Sequence, residues 1–258
     1  MPEPRVPGPT FVATTIPTMR TKQSQSSCPD STACDACSVR ELALFADLTR
    51  AELGSNPSIQ DLRLSPGACL YRAGDTGAAI YTVREGLLKL EQYLPDGTSR
   101  IVSLLGPGQV AGLEVTVAAV YEHAAVALQP TWVCRLPTEI VARLSGKLHR
   151  QLMKKWHEAV LQAHDCTREL ATGSARQRVA RLFLMLASRD AASSNTAQSA
   201  HGRCRLFGRE DIGALLGVTT ETASRVVAQF RRMGTVQELG PNSFTCDLEA
   251  LEQIATEV

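Results

Sequence analysis

The chain has 258 residues and 27.8 kDa, with 44% hydrophobic residues, 21% charged residues and a formal net charge of +1. That length and composition suit a soluble globular protein of one or two domains with a sizeable core. No apolar run approaches the ~20 residues that cross a bilayer, which excludes a membrane-spanning role.

Residues 1–27 are rich in Pro, Ser and Thr and lack the apolar centre of a secretory signal, so a disordered leader and a cytoplasmic protein are expected. Cys28, Cys34 and Cys37 follow as C-x5-C-x2-C in polar surroundings. Such spacing reads as a metal site rather than as packing, and a cytoplasmic chain is not expected to build a disulfide framework. Residues 38–53 have helical periodicity, with Leu42, Phe45 and Leu48 on one face.

Between residues 62 and 137, short apolar runs alternate with turn signals at Pro66-Gly67, Ala73-Gly74-Asp75, Pro95-Asp96-Gly97 and Gly106-Pro107-Gly108. The pattern predicts an all-β sandwich, roll or barrel, with LKLEQYL and SRIVSLL as a hairpin about Pro95-Asp96-Gly97. Residues 138–171 contain no Pro and read as one long helix. Leu144, Leu148, Leu152, Trp156, Val160, Ala163 and Thr167 form a narrow stripe, suited to a twin helix in a dimer or to the chain's own β domain. His157 and His164 have no ligand partners at metal spacing and are expected at the surface or an interface. Residues 176–188 predict a second amphipathic helix, 191–202 a polar linker, 203–207 a strand, 236–246 a hairpin turning at Gly240-Pro241-Asn242, and 248–257 a closing helix. Cys69, Cys166, Cys204 and Cys246 stand singly and read as buried structural thiols.

Charge is unevenly distributed. Residues 39–146 carry nine Lys/Arg and eleven Asp/Glu, residues 147–235 fifteen and seven, and residues 236–258 none and five. The basic central block is a candidate phosphate-binding surface. Within it, REDIGALLGVTTETASRVVAQFRRMG (209–234) has the pattern helix, glycine turn, helix. Ile212, Leu215 and Leu216 supply one inner face and Val226, Val227 and Phe230 the other. Gly217 suits the tight turn, and Thr219 can cap the second helix. Glu221, Ser224 and Arg225, at i, i+3 and i+4, share a face. Arg can donate two hydrogen bonds to guanine, and Glu can accept one from cytosine.

A β-roll, a long helix and a C-terminal winged helix-turn-helix, in that order, resemble the CRP/FNR family of bacterial transcription regulators. PGACLYRAGD (66–75), YTVREGLLKL (81–90) and residues 208–234 carry the likeness. The recognition-helix pattern E-x-x-S-R, here Glu221, Ser224 and Arg225, is similar to that of the FNR branch. The resemblance implies an α+β fold in four parts. These are a leader with a cysteine cluster (1–37), a cyclic-nucleotide-binding-like β-roll sensor (38–143), a dimerisation helix (144–171) and a winged helix-turn-helix (172–258). It further implies a homodimer that reads TTGAT-type palindromes through Thr220, Glu221, Ser224 and Arg225 and touches RNA polymerase near Pro95-Asp96-Gly97.

The FNR branch holds an oxygen-labile [4Fe–4S] cluster, and the resemblance implies Cys28, Cys34, Cys37 and Cys134 as its ligands. LQPTWVCRLP (128–137) followed by LSGK resembles the stretch around the distant ligand. One departure is plain: the third leader cysteine precedes the C-x-x-C pair, whereas in the family it follows, at a position held here by Ala43. The ligand set alone leaves three chemistries open: an iron–sulfur cluster, tetrahedral zinc, or a Cys34–Cys37 thiol switch. In cyclic-nucleotide-binding relatives an Arg-Ser pair holds the phosphate, and those places fall on Tyr121 and Glu122, so cAMP is not expected as a ligand. No phosphate loop, nucleophile elbow or paired acid–base motif points to an enzyme.

Overall fold

A computed structural model describes residues 24–27, 44, 60–143, 145–194 and 201–257. The first half is a β-roll. Its strands are β1 (Ser24–Ser27), β2 (Gln60–Leu64), β3 (Cys69–Tyr71), β4 (Ala79–Glu85), β5 (Leu88–Tyr93), β6 (Ser99–Leu105), β7 (Val110–Ala111), β8 (Ala124–Ala127) and β9 (Thr131–Pro137). They form two antiparallel sheets, β1-β2-β9-β4-β7 and β3-β8-β5-β6. The hairpin expected at Pro95-Asp96-Gly97 joins β5 to β6. Its Asp96 carboxylate accepts from the Thr98 backbone N–H at 2.9 Å and from the Thr98 hydroxyl at 2.6 Å.

Strand alternation sorts the central sheet into two faces. Leu62, Val133 and Val83 lie in register and are buried. Asp61, Cys134 and Thr82 form the next row, on the opposite face, and are also buried. Between the sheets, Tyr71 stacks on Tyr121 with centroids 3.8 Å apart and on Tyr81 at 5.7 Å. The Tyr121 hydroxyl donates to the Ala79 carbonyl at 2.6 Å. An aromatic ring thus fills the interior at residue 121. Gly86, at φ +92°, turns β4 into β5 where an added Cβ would lie 2.4 Å from the Pro130 carbonyl oxygen. Only glycine fits both constraints.

The long helical stretch is divided in two: α1 (Thr138–Arg143) and α2 (Ser145–Leu170). Ile140 and Val141 tie α1 into the roll core, while α2 runs on. The predicted stripe also splits. Leu148, Leu152 and Trp156 pack on the roll with Ala159, while Val160, Ala163 and Thr167 remain exposed, as does Met153, which lies outside the predicted stripe. Only the second group faces outward for a partner; Leu144 lies outside the described residues. His157 and His164 are exposed, as expected. The helix predicted over 38–53 also lies outside the described residues except for Leu44, which is fully buried in the roll core.

The second half holds α3 (Ala175–Ser194), β10 (His201–Arg205), α4 (Arg209–Leu216), α5 (Thr220–Met233), β11 (Val236–Gly240), β12 (Ser243–Asp247) and α6 (Leu248–Thr256). Helix α3 runs into the segment read as a linker, because Ala191 and Ala192 are helix formers with no breaker beside them. Residues 195–200 lie outside the described set. Phe183 of α3 anchors the core, edge-on to Phe244 at 5.7 Å and tilted against Phe230 at 6.2 Å. Helix α6 is N-capped by Asp247, whose carboxylate accepts from the Ala250 N–H at 3.1 Å.

The two halves share core. Leu87, Ile101 and Leu104 of the roll pack in the same buried cluster as α3, α4 and α5. Beside them the Lys89 ammonium contacts Asp211 of α4 at 2.7 Å and Glu91 at 2.5 Å. Burial alone would lower the Lys89 pKa; the hydrogen bonds to Asp211 and Glu91 outweigh it and hold the ammonium above its ordinary range. Arg100 of β6 lies against the α4–α5 turn, where a Cβ on Gly217 would meet its guanidinium at 2.7 Å.

Candidate nucleic-acid interface and the Cys134 face

Helices α4 and α5 are joined by three residues that behave as their types require. Gly217 takes φ +66° and ends α4. Thr219 is extended, and its hydroxyl accepts from the Thr222 N–H at 3.1 Å, capping α5. Glu221 in the first turn and Arg231 and Arg232 in the last complement the helix dipole. Ala223, Val226, Val227 and Phe230 bury one side of α5, so its register is set by the core. The other side presents Thr220, Glu221, Ser224 and Arg225, all exposed. Glu221 and Arg225 are not bonded to each other among the described residues, and their donor and acceptor groups point to solvent. This is the geometry of a helix that enters a major groove and reads base edges.

The wing lies beside it. Strands β10, β12 and β11 form a three-stranded antiparallel sheet that turns at Gly240-Pro241-Asn242, with Asn242 at φ +58°. Arg231 bonds Glu238 at 3.0 Å, fixing the end of α5 to the wing. Arg203, Arg205 and Arg232 are exposed on this half and add to its basic surface. Sequence reasoning missed Arg209. It starts α4, half-buried, with a buried Nη1 that has no hydrogen-bond partner among the described residues. Burial lowers its pKa, Glu238 opposes that, and Arg231 adds to it.

Cys134 is buried at the centre of β9, between Asp61 of β2 and Thr82 of β4. Cys28, Cys34 and Cys37 lie outside the described residues. Two positions from Cys134, on the same face, Trp132 has two guanidiniums over its ring, Arg63 at 4.7 Å and Arg84 at 4.2 Å from its centre. Arg84 also bonds Asp61 at 2.8 Å. The indole Nε1 is buried and has no acceptor among the described residues. The other cysteines depart from the expectation of isolated buried thiols. Cys69 and Cys166 are half-buried, while Cys204 and Cys246 are buried and meet across β10 and β12 with sulfurs 3.5 Å apart. The pairing of Gly202 with Cys246 and of Cys204 with Phe244 sets these two thiols diagonally opposite. Their mutual hydrogen bond, then burial, push the Cys204 thiol well above its ordinary pKa, so it stays protonated.

Comparison with known proteins agrees with both halves. Residues 61–147 match the cyclic nucleotide-binding domain family and residues 177–254 the Crp-like helix-turn-helix domain. The transcriptional activator protein Anr of Pseudomonas aeruginosa is 30% identical over 213 residues, covering 80% of this chain and 86% of that protein. The fumarate and nitrate reduction regulatory protein of Escherichia coli is 28% identical over 228 residues, covering 86% and 90%. The anaerobic regulatory protein of Haemophilus influenzae is 27% identical over 227 residues, covering 86% and 87%. Among solved structures, FixK2 from Bradyrhizobium japonicum superposes with a TM-score of 0.65 at 23% identity, covering 78% of this chain and 98% of that one. A CRP-family regulator from Thermus thermophilus has the same score at 24% identity, covering 76% and 97%. At these identities the two structures speak for the fold alone. With the exposed recognition face and the relatives together, the chain belongs to the CRP/FNR family, in its FNR branch, and is a DNA-binding transcription regulator of that type.

Proposed function

We propose that this regulator works in the cytoplasm as a homodimer, recognises TTGAT-type palindromes, and adjusts its DNA affinity to oxygen or redox state through a [4Fe–4S] cluster on Cys28, Cys34, Cys37 and Cys134. The observation that carries this reading is the place of Cys134. It is a buried soft ligand on β9, and β9 leads directly through α1 into α2. The donor set fits the group: cysteine thiolates are its usual ligands, and the Trp132 N–H, two positions along β9 and without an acceptor among the described residues, is a donor suited to sulfur. When bound, the cluster would supply an oxygen-labile link between the leader and β9.

The chain's own residues do the rest. Cys134 anchors the leader four residues before α1 begins. Leu148, Leu152 and Trp156 hold α2 on the roll, so a change at β9 is felt along α2. Met153, Val160, Ala163 and Thr167 then meet the same residues of a second copy. Pairing sets two α5 helices at the spacing of two half-sites, where Arg225 donates to guanine and Glu221 accepts from cytosine. Tenfold in DNA affinity requires only about 1.4 kcal/mol of difference between the two states. The exposed hairpin tip at Pro95-Asp96-Gly97 offers a surface to RNA polymerase. The protein acts as a regulator and not as an enzyme. Its relatives' names include anaerobic regulation, and the same role is proposed here.

Anaerobic reconstitution with iron and sulfide tests the reading. About four irons per chain and a visible band that bleaches in air are expected, both lost in Cys134→Ala. A colourless protein with one zinc, or an unchanged spectrum in Cys134→Ala, contradicts it.

A further inference from the structure

Arg100 stands at the join of the two halves, and the packing of neither half accounts for it. Its neighbour Ile101 is buried in the core that β6 shares with α3, α4 and α5, so the strand is fixed against the DNA-binding half. Arg100 itself is exposed, pairs in register with Gln92, and makes no side-chain hydrogen bond or ion pair among the described residues. Its guanidinium nonetheless lies on the α4–α5 turn, with Nη1, Nη2 and Cζ at 2.7, 3.0 and 3.3 Å from where a Gly217 Cβ would stand. A cation there suits the C-terminal end of α4. That end is already served: the Gly217 N–H donates to the Gly213 carbonyl, and Arg178 Nη1 donates to the Leu216 carbonyl at 2.6 Å. The acids of the join are engaged as well, since Glu91 and Asp211 both hold the Lys89 ammonium. The Arg100 charge is therefore open to an outside anion.

We propose that Arg100 contacts a phosphate of the DNA backbone at the edge of the half-site, so that the β-roll itself takes part in DNA binding. The inference rests on α5 entering the major groove and not on the cluster. That groove is about 12 Å wide, so phosphates line both sides of a helix whose first turn meets base edges. Gly217 lies three residues before Thr220, so their Cα atoms are at most about 11 Å apart. A guanidinium held on Gly217 is thus at the rim of the groove that Thr220 and Glu221 enter, and its forked N–H donors match phosphate oxygens. Glu221 makes no ion pair with Arg100 among the described residues. Such a contact positions the protein and carries no sequence information. It also ties DNA affinity to how the roll is seated against α4.

The test titrates the full-length protein against a TTGAT palindrome and a random duplex of equal length, by fluorescence anisotropy, over a series of salt concentrations. Arg100→Gln removes the charge at an exposed position. The variant's affinity is expected to fall at least about threefold on both duplexes at low salt, with the slope of log K against log salt shallower by about 1 per protomer. Arg100→Lys should restore most of the slope, and the thermal midpoint should not move in either variant. An unchanged salt slope in Arg100→Gln on both duplexes would overturn the proposal. Paired with a lower thermal midpoint, that result would assign Arg100 to the end of α4 instead. A loss confined to the palindrome would also overturn it, because a phosphate contact does not distinguish sequences. The random duplex needs neither the TTGAT reading nor a cluster, so the failure of either leaves this outcome readable.

Discussion

The recognition element and the Cys134 face are built in opposite ways. Residues 209–234 are contiguous; each turn, cap and buried side chain of α4 and α5 is decided within that window. The Cys134 face draws on β2, β4 and β9, strands far apart in the chain and brought into register only by the sheet. A local element can be read from a sequence because its determinants are neighbours. A cross-strand face cannot, because register is a property of the assembled sheet.

Substitutions can sharpen that contrast. The largest effect is expected from Phe230→Ala, which empties the centre of the C-terminal core. Phe230 is fully buried against Phe183, so a loss of about 3–5 kcal/mol should appear in urea unfolding. Lys89→Ala tests the join between the halves. It leaves Glu91 and Asp211 facing each other without their cation, and about 2–3 kcal/mol should be lost, less in high salt. Arg225→Ala should cost roughly 1–3 kcal/mol on a specific palindrome and little on random DNA in a fluorescence-anisotropy titration. Equal losses on both would reassign Arg225 to phosphate. Thr219→Ala removes one cap and should lower stability by about 1 kcal/mol.

The smallest effect is a pH dependence in the wing. Cys204 has a raised pKa in the folded state, from its bond to Cys246 and from burial. Its contribution is therefore whole below the unfolded thiol value of about 8.5 and is lost as pH rises. Thermal midpoints should fall between about pH 8 and pH 10, and Cys204→Ala should flatten that fall.

Much of the fold was legible, and for physical reasons. Gly217 and Thr219 predict the turn and the cap because positive φ and an orphan N–H demand those residue types. The Pro95-Asp96-Gly97 hairpin was equally plain from its turn chemistry. The stripe on α2 was harder. Periodicity finds a seam but not what covers it, and Leu148, Leu152 and Trp156 turned out to face the chain's own roll. The pairing of Cys204 with Cys246 and the clamp on Trp132 were invisible, since both depend on which residues the sheets set opposite one another. Arg209 was overlooked for another reason: what sets it apart is a buried nitrogen without a partner among the described residues, which only packing reveals.

The central claim is that the state of the Cys134 site governs the exposed face of α5. It is tested most directly by titrating one anaerobic preparation against a TTGAT palindrome before and after air exposure, with Cys134→Ala alongside. The account predicts tight binding that weakens by at least about tenfold as the visible band bleaches, and weak binding throughout in Cys134→Ala. Equal affinity before and after, or tight binding by Cys134→Ala, would contradict it.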